Sequence, residues 1–240
     1  MVRFLLFDLD RTLWDFDGNA AVTFRDMYAR FGLKVLCHTD VDTFHRYYCQ
    51  VNGVLWNGYR KGTVTKEELH VDRFRLPLEH FGLRHCERLA QELGDYYVQE
   101  GPKQTGLMPG TRELLEYLRN EGSWELGVVT NGFSEAQWPK MKTAGIYDYF
   151  RHFFLSEEIG FMKPDVRFFQ VAQRQLQAKP EEVLVVGDDY FVDIVGARSA
   201  GMPQIYYNYL CQKLPQDAVL PTYEVRHLLE IKTILSGSHW

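Results

Sequence analysis

The sequence predicts an α/β fold, a doubly wound parallel sheet with an inserted α-helical subdomain. Short apolar runs alternate with segments whose apolar residues recur at helical spacing, which is typical of a parallel sheet with helices on both faces. Residues 16–100 interrupt this alternation with helical patterns alone. The chain has 240 residues, 45% of them hydrophobic, so it is long enough to bury a substantial core.

Five apolar runs are the candidate strands of the sheet. Several are rich in valine, leucine, isoleucine or aromatic residues, as strands buried on both faces require. In chain order they are residues 3–9, 125–131, 152–157, 182–188 and 204–208. We expect residues 219–235 to add an edge strand and a last helix.

Two segments between these strands have clear helical periodicity. Residues 111–122 place three leucines at helical spacing and stop at Gly122. Residues 164–177 begin with Pro164, a residue favoured at helix starts, and carry an apolar stripe. Each helix therefore links two neighbouring predicted strands.

The predicted domain organisation follows from the segment without strands. Residues 16–100 read as a helical subdomain inserted between the first and second strands. Residues 1–15 and 101–240 then form the sheet domain.

Composition excludes several classes of function. The formal charge of −5 and pI near 5.9 argue against binding to nucleic-acid polymers or anionic membranes. No apolar run approaches the roughly 18–20 residues of a membrane span. The four cysteines form no CxxC pair and suit reduced thiols, so we expect a cytoplasmic protein. The sequence leaves the oligomeric state open.

Polar residues follow four of the predicted strands, at the sheet edge where open α/β folds bind ligands. In chain order these residues are Asp8 and Asp10, then Thr130, Asn131 and Gly132, then Lys163, and finally Asp188, Asp189 and Asp193. Strand periodicity predicts that the first two carboxylates share one face. Two such charges repel each other, so a cation should compensate them.

This inventory indicates phosphoryl chemistry. Oxygen ligands suit a hard cation, and Mg²⁺ is the usual one for phosphate. A carboxylate can attack phosphorus to form an acyl phosphate, and a second can protonate the leaving alcohol and then activate water. The Thr130 hydroxyl and the Lys163 ammonium can hold the phosphoryl oxygens. The histidines show no zinc-binding spacing.

Four motifs resemble those of the haloacid dehalogenase-like superfamily in order and spacing. They are DLDRT at 8–12, VVTNG at 128–132, the Lys-Pro of MKPD at 162–165 and VGDDYFVD at 186–193. The resemblance covers essentially the whole chain. It implies a Rossmann-like core, a helical cap formed by the insertion, and Mg²⁺-dependent phosphatase activity.

The resemblance also implies a role for each matched residue. Asp8 corresponds to the nucleophile and Asp10 to the acid/base, and Thr130, Asn131 and Lys163 correspond to phosphate-binding residues. The implied metal ligands are Asp8, the backbone carbonyl of Asp10, and Asp188. Asp193 corresponds to a supporting acid that orients the lysine or a metal-bound water. Asp189 matches less well and is left without a definite role.

Within the superfamily, the TLWDF at 12–16, the TNG at 130–132 and the RF at 73–74 in the small cap most resemble pyrimidine 5′-nucleotidase-like phosphatases. This resemblance implies a small phosphorylated metabolite such as a nucleoside 5′-monophosphate. A sugar-phosphate phosphatase, a phosphomutase and a 2-haloacid dehalogenase stay open as alternatives, and so does a non-catalytic phospholigand-binding protein. Aromatic residues of the insertion are expected to serve mainly in packing. Trp14 is the best candidate for a ring that faces the substrate, because it is close to Asp10 in the chain.

Overall fold

A computed structural model describes residues 1–237 of the protein. The chain forms two compact units. One consists of Met1–Phe16 and the chain from Thr105 onward, and the other of Asp17–Gln104. The sequence predicted the helical segment at 16–100, so its predicted start is one residue early and its predicted end is four residues early.

The first unit contains a parallel sheet that has six strands within residues 1–237. They are β1 (Phe4–Phe7), β2 (Glu125–Thr130), β3 (His152–Leu155), β4 (Val183–Gly187), β5 (Gln204–Tyr207) and β6 (Tyr223–Val225). Their order across the sheet is β3-β2-β1-β4-β5-β6. The first three strands thus run from the centre of the sheet to one edge, and the last three run from the centre to the other edge. The predicted doubly wound α/β fold is confirmed, and β6 is the expected edge strand.

The central strands are β1 and β4, which pair with each other in register from Phe4 with Val183 to Phe7 with Val186. Every residue of both strands is buried. Side chains of β1 alternate between two apolar clusters, with Leu5 in one and Leu6 in the other. Burial on both faces explains why these strands read as continuous apolar runs.

Helices surround the sheet in the first unit and make up the second. Within the described residues they are α1 (Phe16–Arg30), α2 (Leu33–Cys37), α3 (Val41–Arg60), α4 (Lys66–His80), α5 (Glu87–Glu100), α6 (Thr111–Glu121), α7 (Ser134–Thr143), α8 (Ser156–Ile159), α9 (Val166–Gln175), α10 (Gly196–Ser199) and α11 (Glu230–Ser236). A π-helical segment, Tyr190–Val195, precedes α10. No helix of residues 1–237 is both long and apolar enough to cross a membrane.

The second unit is helical because its sequence carries clear start signals and an apolar core of its own. Thr65 and Glu68 form a reciprocal capping box at the start of α4, with bonds of 2.8 and 3.1 Å. Aromatic rings fill the centre of the unit, where the ring centre of Phe24 lies 4.4 Å from that of Tyr48 and 6.0 Å from that of Phe74. Packing is thus the role of Tyr48, as expected for the aromatic residues of this segment.

Candidate active site

Asp8, the first carboxylate predicted at the sheet edge, lies directly past the end of β1. Its backbone N–H donates to the Val186 carbonyl at 2.8 Å, which extends the ladder between β1 and β4 by one residue. Strand order reverses between these two strands, and open α/β sheets bind ligands at such a point. Asp8 is only 8% exposed, so its carboxylate needs partners within the protein.

Lys163 is the charged partner of Asp8. Its ammonium lies 2.7 Å from Asp8 Oδ1, 2.6 Å from Asp193 Oδ1 and 2.9 Å from the Val129 carbonyl oxygen. A lysine ammonium has three N–H donors, so all of them are used inside the protein. Lys163 would have to release one of these acceptors in order to contact a phosphoryl oxygen.

Burial and charge together set the protonation of these three groups. Burial alone would lower the pKa of Lys163, but the carboxylates of Asp193 and Asp8 outweigh it and raise the pKa, so Lys163 is an ammonium. Burial raises the pKa of Asp8, and the charge of Lys163 opposes that increase. Burial raises the pKa of Asp193 to about 7, although the charge of Lys163 opposes that increase as well. Lys163 therefore stabilises two carboxylates whose charged forms burial disfavours.

Asp188 adds a third carboxylate at the same point. One oxygen each from Asp8, Asp188 and Asp193, here called the acidic cluster, lie within 4.8 Å of one another. The Thr12 hydroxyl lies 3.1 Å from Asp8 Oδ2 and 3.3 Å from Asp188 Oδ1. Burial, followed by the charges of Asp8 and Asp193, raises the pKa of Asp188 well above its ordinary value.

The acidic cluster fits a hard divalent cation. One buried ammonium contacts Asp8 and Asp193, and Asp188 adds a third carboxylate, so negative charge is in excess. All three offer oxygen, the ligand atom that Mg²⁺ prefers. A cation among these oxygens would oppose the repulsion that raises the pKa of Asp188. Asp8 and Asp188, the side-chain ligands that the family resemblance implies, are both members of the acidic cluster.

Asp10, the second predicted carboxylate, does not continue the strand. The backbone N–H groups of Leu13 and Trp14 donate to the Leu9 carbonyl at 2.9 and 2.8 Å, so the chain turns back on itself here. β1 has already ended at Phe7. Strand periodicity therefore does not place Asp10, but the two carboxylates are still near each other, because the Asp10 charge adds to burial in raising the pKa of Asp8.

Two residues of α7 hold the Asp10 side chain. Lys140 Nζ lies 2.6 Å from Asp10 Oδ1, and Gln137 Nε2 lies 2.8 Å from Asp10 Oδ2. Asp8 and Asp10 are thus held by separate sets of donors.

Thr130, at the end of β2, has its hydroxyl oriented by two neighbours. Its oxygen accepts from the Gly132 N–H and from Gln137 Nε2, both at 3.1 Å. A hydroxyl has two acceptor positions and one proton, so these bonds leave Thr130 to act as a donor. That is the role expected of a group that binds phosphoryl oxygens.

Asn131 has a positioning role that the sequence did not indicate. Its Nδ2 donates to the Lys163 carbonyl at 2.8 Å, and its Oδ1 accepts from the Lys163 N–H at 2.9 Å. This pair of bonds ties the end of β2 to the segment that carries Lys163. Phosphate binding by Asn131 stays a prediction, with one side-chain amide N–H not used in these bonds.

A known protein family matches the part of the chain that carries these site residues. The model of the family described as haloacid dehalogenase-like hydrolase matches residues 2–201, which include every site residue described above. The chain belongs to the haloacid dehalogenase-like hydrolases. The predicted family and the prediction of a hydrolase are confirmed.

Similar proteins cover almost the whole chain. Pyrimidine 5′-nucleotidase PynA of Streptococcus pneumoniae is 33% identical over 225 residues, or 93% of this chain and 90% of that protein. Pyrimidine 5′-nucleotidase YjjG of Escherichia coli is 29% identical over 233 residues, 96% of either protein. The structure of the HAD-hydrolase YfnB from Bacillus subtilis bound to magnesium matches with a TM-score of 0.86 at 27% identity, and covers 98% of this chain and 99% of that chain.

Three residues of this haloacid dehalogenase-like site were missed by the sequence reasoning. Thr12 lies inside the first motif but was given no role. Gln137 and Lys140 lie three residues apart, directly after the Thr130 turn, and such a pair shares one face of a helix. That spacing was the available signal, although it does not tell which way the face points.

The structure also shows the surroundings of Trp14 and of Asp189, the residue of the fourth haloacid dehalogenase-like motif that had no assigned role. Trp14 is 2% exposed and packs in an apolar cluster of the sheet unit, with the Lys140 ammonium 4.4 Å from its ring centre. The structure thus gives it a packing role, and contact with a substrate stays a prediction. Asp189 lies outside the acidic cluster. Its Oδ1 accepts from the N–H groups of Phe191 and Val192 at 2.9 and 3.0 Å, and so it caps the π-helical segment.

Proposed function

We propose that this hydrolase is a Mg²⁺-dependent phosphomonoesterase that passes through an aspartyl-phosphate on Asp8. The observation that carries the proposal is the placement of Asp8, held between Lys163 and Thr12 and within 4.8 Å of the Asp188 oxygen. A carboxylate fixed beside a cation site is suited to attack phosphorus. Phosphate monoesters resist hydrolysis so strongly that a nucleophile, an acid/base and charge stabilisation are all needed.

In the first step, one oxygen of Asp8 attacks phosphorus as the bond from phosphorus to the ester oxygen breaks. Lys163 and Thr12 each hold one carboxylate oxygen, which fixes the plane of the nucleophile before attack. The Thr130 hydroxyl donates to a phosphoryl oxygen as its charge redistributes. Asp193 keeps the Lys163 ammonium in place.

Asp10 handles the protons of both steps. It gives a proton to the leaving oxygen, which carries away the electron pair of the broken bond. It then takes a proton from the water that attacks the phosphorus of the aspartyl-phosphate. This second attack releases inorganic phosphate and restores the Asp8 carboxylate.

The residues that would hold Mg²⁺ are Asp8, Asp188 and the backbone carbonyl of Asp10. When bound there, Mg²⁺ would neutralise part of the phosphoryl charge during attack. The excess negative charge of the acidic cluster supports this assignment. The magnesium-bound structure of YfnB supports the choice of ion.

We propose a nucleoside 5′-monophosphate as the substrate, since PynA and YjjG are both pyrimidine 5′-nucleotidases. A haloacid dehalogenase needs a nucleophilic aspartate but no metal, so it could dispense with Asp10 and Asp188. A protein that only binds phospholigands needs no nucleophile. Asp8, Asp10 and Asp188 each accept a hydrogen bond from a described residue. This favours the phosphatase, which needs all three carboxylates, over both alternatives.

Phosphate release from p-nitrophenyl phosphate, with Mg²⁺ or with a chelator, tests the proposed chemistry. We expect turnover with Mg²⁺, loss of turnover with the chelator and recovery when excess Mg²⁺ is added. A panel of nucleoside 5′-monophosphates and hexose phosphates then tests the substrate class, with chloride release from a 2-chloro acid as the dehalogenase assay. Full activity in chelator, or chloride release without phosphate release, would contradict the proposal.

Asp188→Asn is expected to raise the melting temperature of the metal-free protein while abolishing the stabilisation that Mg²⁺ confers. The reason is that burial and two like charges disfavour the Asp188 carboxylate, and an amide of the same shape removes that repulsion. Each kcal/mol gained corresponds to about 2–4 °C in a chain of this size. Thermal unfolding with chelator and with Mg²⁺ measures both effects.

The matched control for this substitution is Asp148→Asn, which changes an exposed aspartate in the same unit. We expect it to leave both the metal-free melting temperature and the Mg²⁺ response unchanged. A metal-free Asp188→Asn protein that melts well below the wild type would show that this carboxylate stabilises the fold, against our interpretation.

A further inference from the structure

The donors that hold Asp10 come from one helix, α7, and they are buried. Gln137 is 1% exposed and Lys140 is 7% exposed. The Lys140 ammonium also lies 4.4 Å from the ring centre of Trp14 and 5.5 Å from that of Phe16. An ammonium held between a carboxylate and aromatic faces has little freedom to move, so it fixes one oxygen of Asp10.

Gln137 connects Asp10 to Thr130. The same Nε2 atom lies 2.8 Å from Asp10 Oδ2 and 3.1 Å from Thr130 Oγ1, so its two N–H groups serve one residue each. The opposite amide orientation would set its oxygen against the carboxylate oxygen. The helix therefore sets the position of the predicted acid/base and the direction of the Thr130 hydroxyl together.

Gly132 has no side chain because Gln137 occupies that space. A Cβ atom on Gly132 would lie 1.6 Å from Gln137 Nε2 and 2.5 Å from its Cδ. Any larger residue would displace the amide from both Asp10 and Thr130. The glycine of the TNG motif thus serves the contact with Gln137.

Gln137 carries a cost to stability that a packing role does not explain. Among the described residues, its Oε1 is buried with no hydrogen-bond partner. A buried acceptor without a partner costs free energy, and a hydrophobic residue of similar shape would avoid that cost. A buried acceptor of this kind calls for an explanation, and the bonds of the amide nitrogen to Asp10 and Thr130 offer one.

We propose that Gln137 and Lys140 are positioning residues that hold Asp10 where it can protonate the leaving group, while Gln137 also aims the Thr130 hydroxyl. This inference rests on the proposed phosphomonoesterase function and deepens it. The two residues act through Asp10 and Thr130 and make no bond to the reacting atoms. Their effect should therefore depend on how much a substrate needs an acid.

The test compares a nucleoside 5′-monophosphate, whose alkoxide leaves poorly, with p-nitrophenyl phosphate, whose phenolate leaves well. Lys140→Met should lower kcat on the nucleotide by about tenfold or more, as expected when general acid catalysis is impaired. It should lower kcat on the aryl ester much less and leave KM and the Mg²⁺ activation curve little changed. Lys140→Arg should recover part of the loss because it restores a cation.

Three further variants separate positioning from structure. Lys142→Met removes an exposed lysine of α7 and should leave both substrates unaffected. Gln137→Met should slow the nucleotide while keeping the melting temperature, because it removes the buried Oε1 acceptor along with its bonds. In an Asp10→Ala background, Lys140→Met should add little, since residues that act as a unit are not additive.

Each outcome bears on a different claim. If the wild-type protein releases no phosphate from either ester, the proposed function fails and this inference fails with it. If it releases phosphate but Lys140→Met slows both esters equally, the inference alone is overturned. An undiminished effect of Lys140→Met in the Asp10→Ala background would likewise show that Lys140 acts elsewhere.

Discussion

Asp8→Asn is expected to reduce phosphate-ester hydrolysis by roughly 10⁴-fold or more, the scale on which removal of a nucleophile acts. An amide oxygen is a poor nucleophile, and the substitution also removes one charge that would face the metal. The fold should persist because the amide keeps the shape of the carboxyl group. Its oxygen can still accept from Lys163, and its N–H can donate to the Thr12 oxygen.

The measurement is phosphate release by the purified variant, with thermal unfolding to confirm that it is folded. Asp148→Asn serves as the matched control, since it makes the same chemical change at an exposed position. Loss should extend to p-nitrophenyl phosphate, because even a good leaving group needs a nucleophile. A folded Asp8→Asn protein with substantial turnover would remove Asp8 from the mechanism.

Lys163→Met is expected to lower the free energy of unfolding by about 3–5 kcal/mol, the cost of leaving a buried charge without its partner. Lys163 is 1% exposed and contacts Asp8 and Asp193 at 2.7 and 2.6 Å. Methionine has a similar length but no charge, so both carboxyl groups lose their cation. Turnover should be lost as well, since the nucleophile is no longer fixed.

Chemical denaturation of Lys163→Met and of Lys142→Met measures this effect against a matched lysine. The exposed Lys142 should contribute no more than about 0.5 kcal/mol. Adding Asp193→Asn to Lys163→Met should recover part of the stability, because it removes one of the two carboxylates left unpaired. A Lys163→Met protein as stable as the wild type would show that the ion pairs are not needed for the fold.

Much of the fold could be predicted because its strands are buried on both faces. The run at 182–188 and the observed β4, Val183–Gly187, differ by one residue at each end. Because both faces of β4 are buried, the strand is a continuous run of apolar residues, which can be recognised without knowing which strands lie beside it. The predicted strand at 152–157 was two residues too long, because α8 begins at Ser156. The start of a short helix is a weaker signal in the sequence than a buried apolar run.

The strand-end residues of the site could also be predicted, since parallel strands deliver their carboxyl ends to one edge. Asp8, Lys163 and Asp188 meet there as expected. Gln137 and Lys140 could not be assigned, because their role depends on how α7 is rotated about its axis. The direction of the Trp14 ring could not be predicted for a related reason, because closeness to Asp10 in the chain does not reveal which way a ring points.

The central claim is that Asp8 carries the phosphoryl group, and trapping that group tests it most directly. Enzyme mixed with a preferred substrate and Mg²⁺ is quenched during turnover and treated with borohydride, which reduces an aspartyl-phosphate to homoserine. Peptide mass spectrometry then locates the change. We predict homoserine at position 8 in the wild-type protein and none in Asp8→Asn or in wild-type protein quenched without substrate. Continued phosphate release with an unmodified Asp8, or with the label at another carboxylate, would contradict the account.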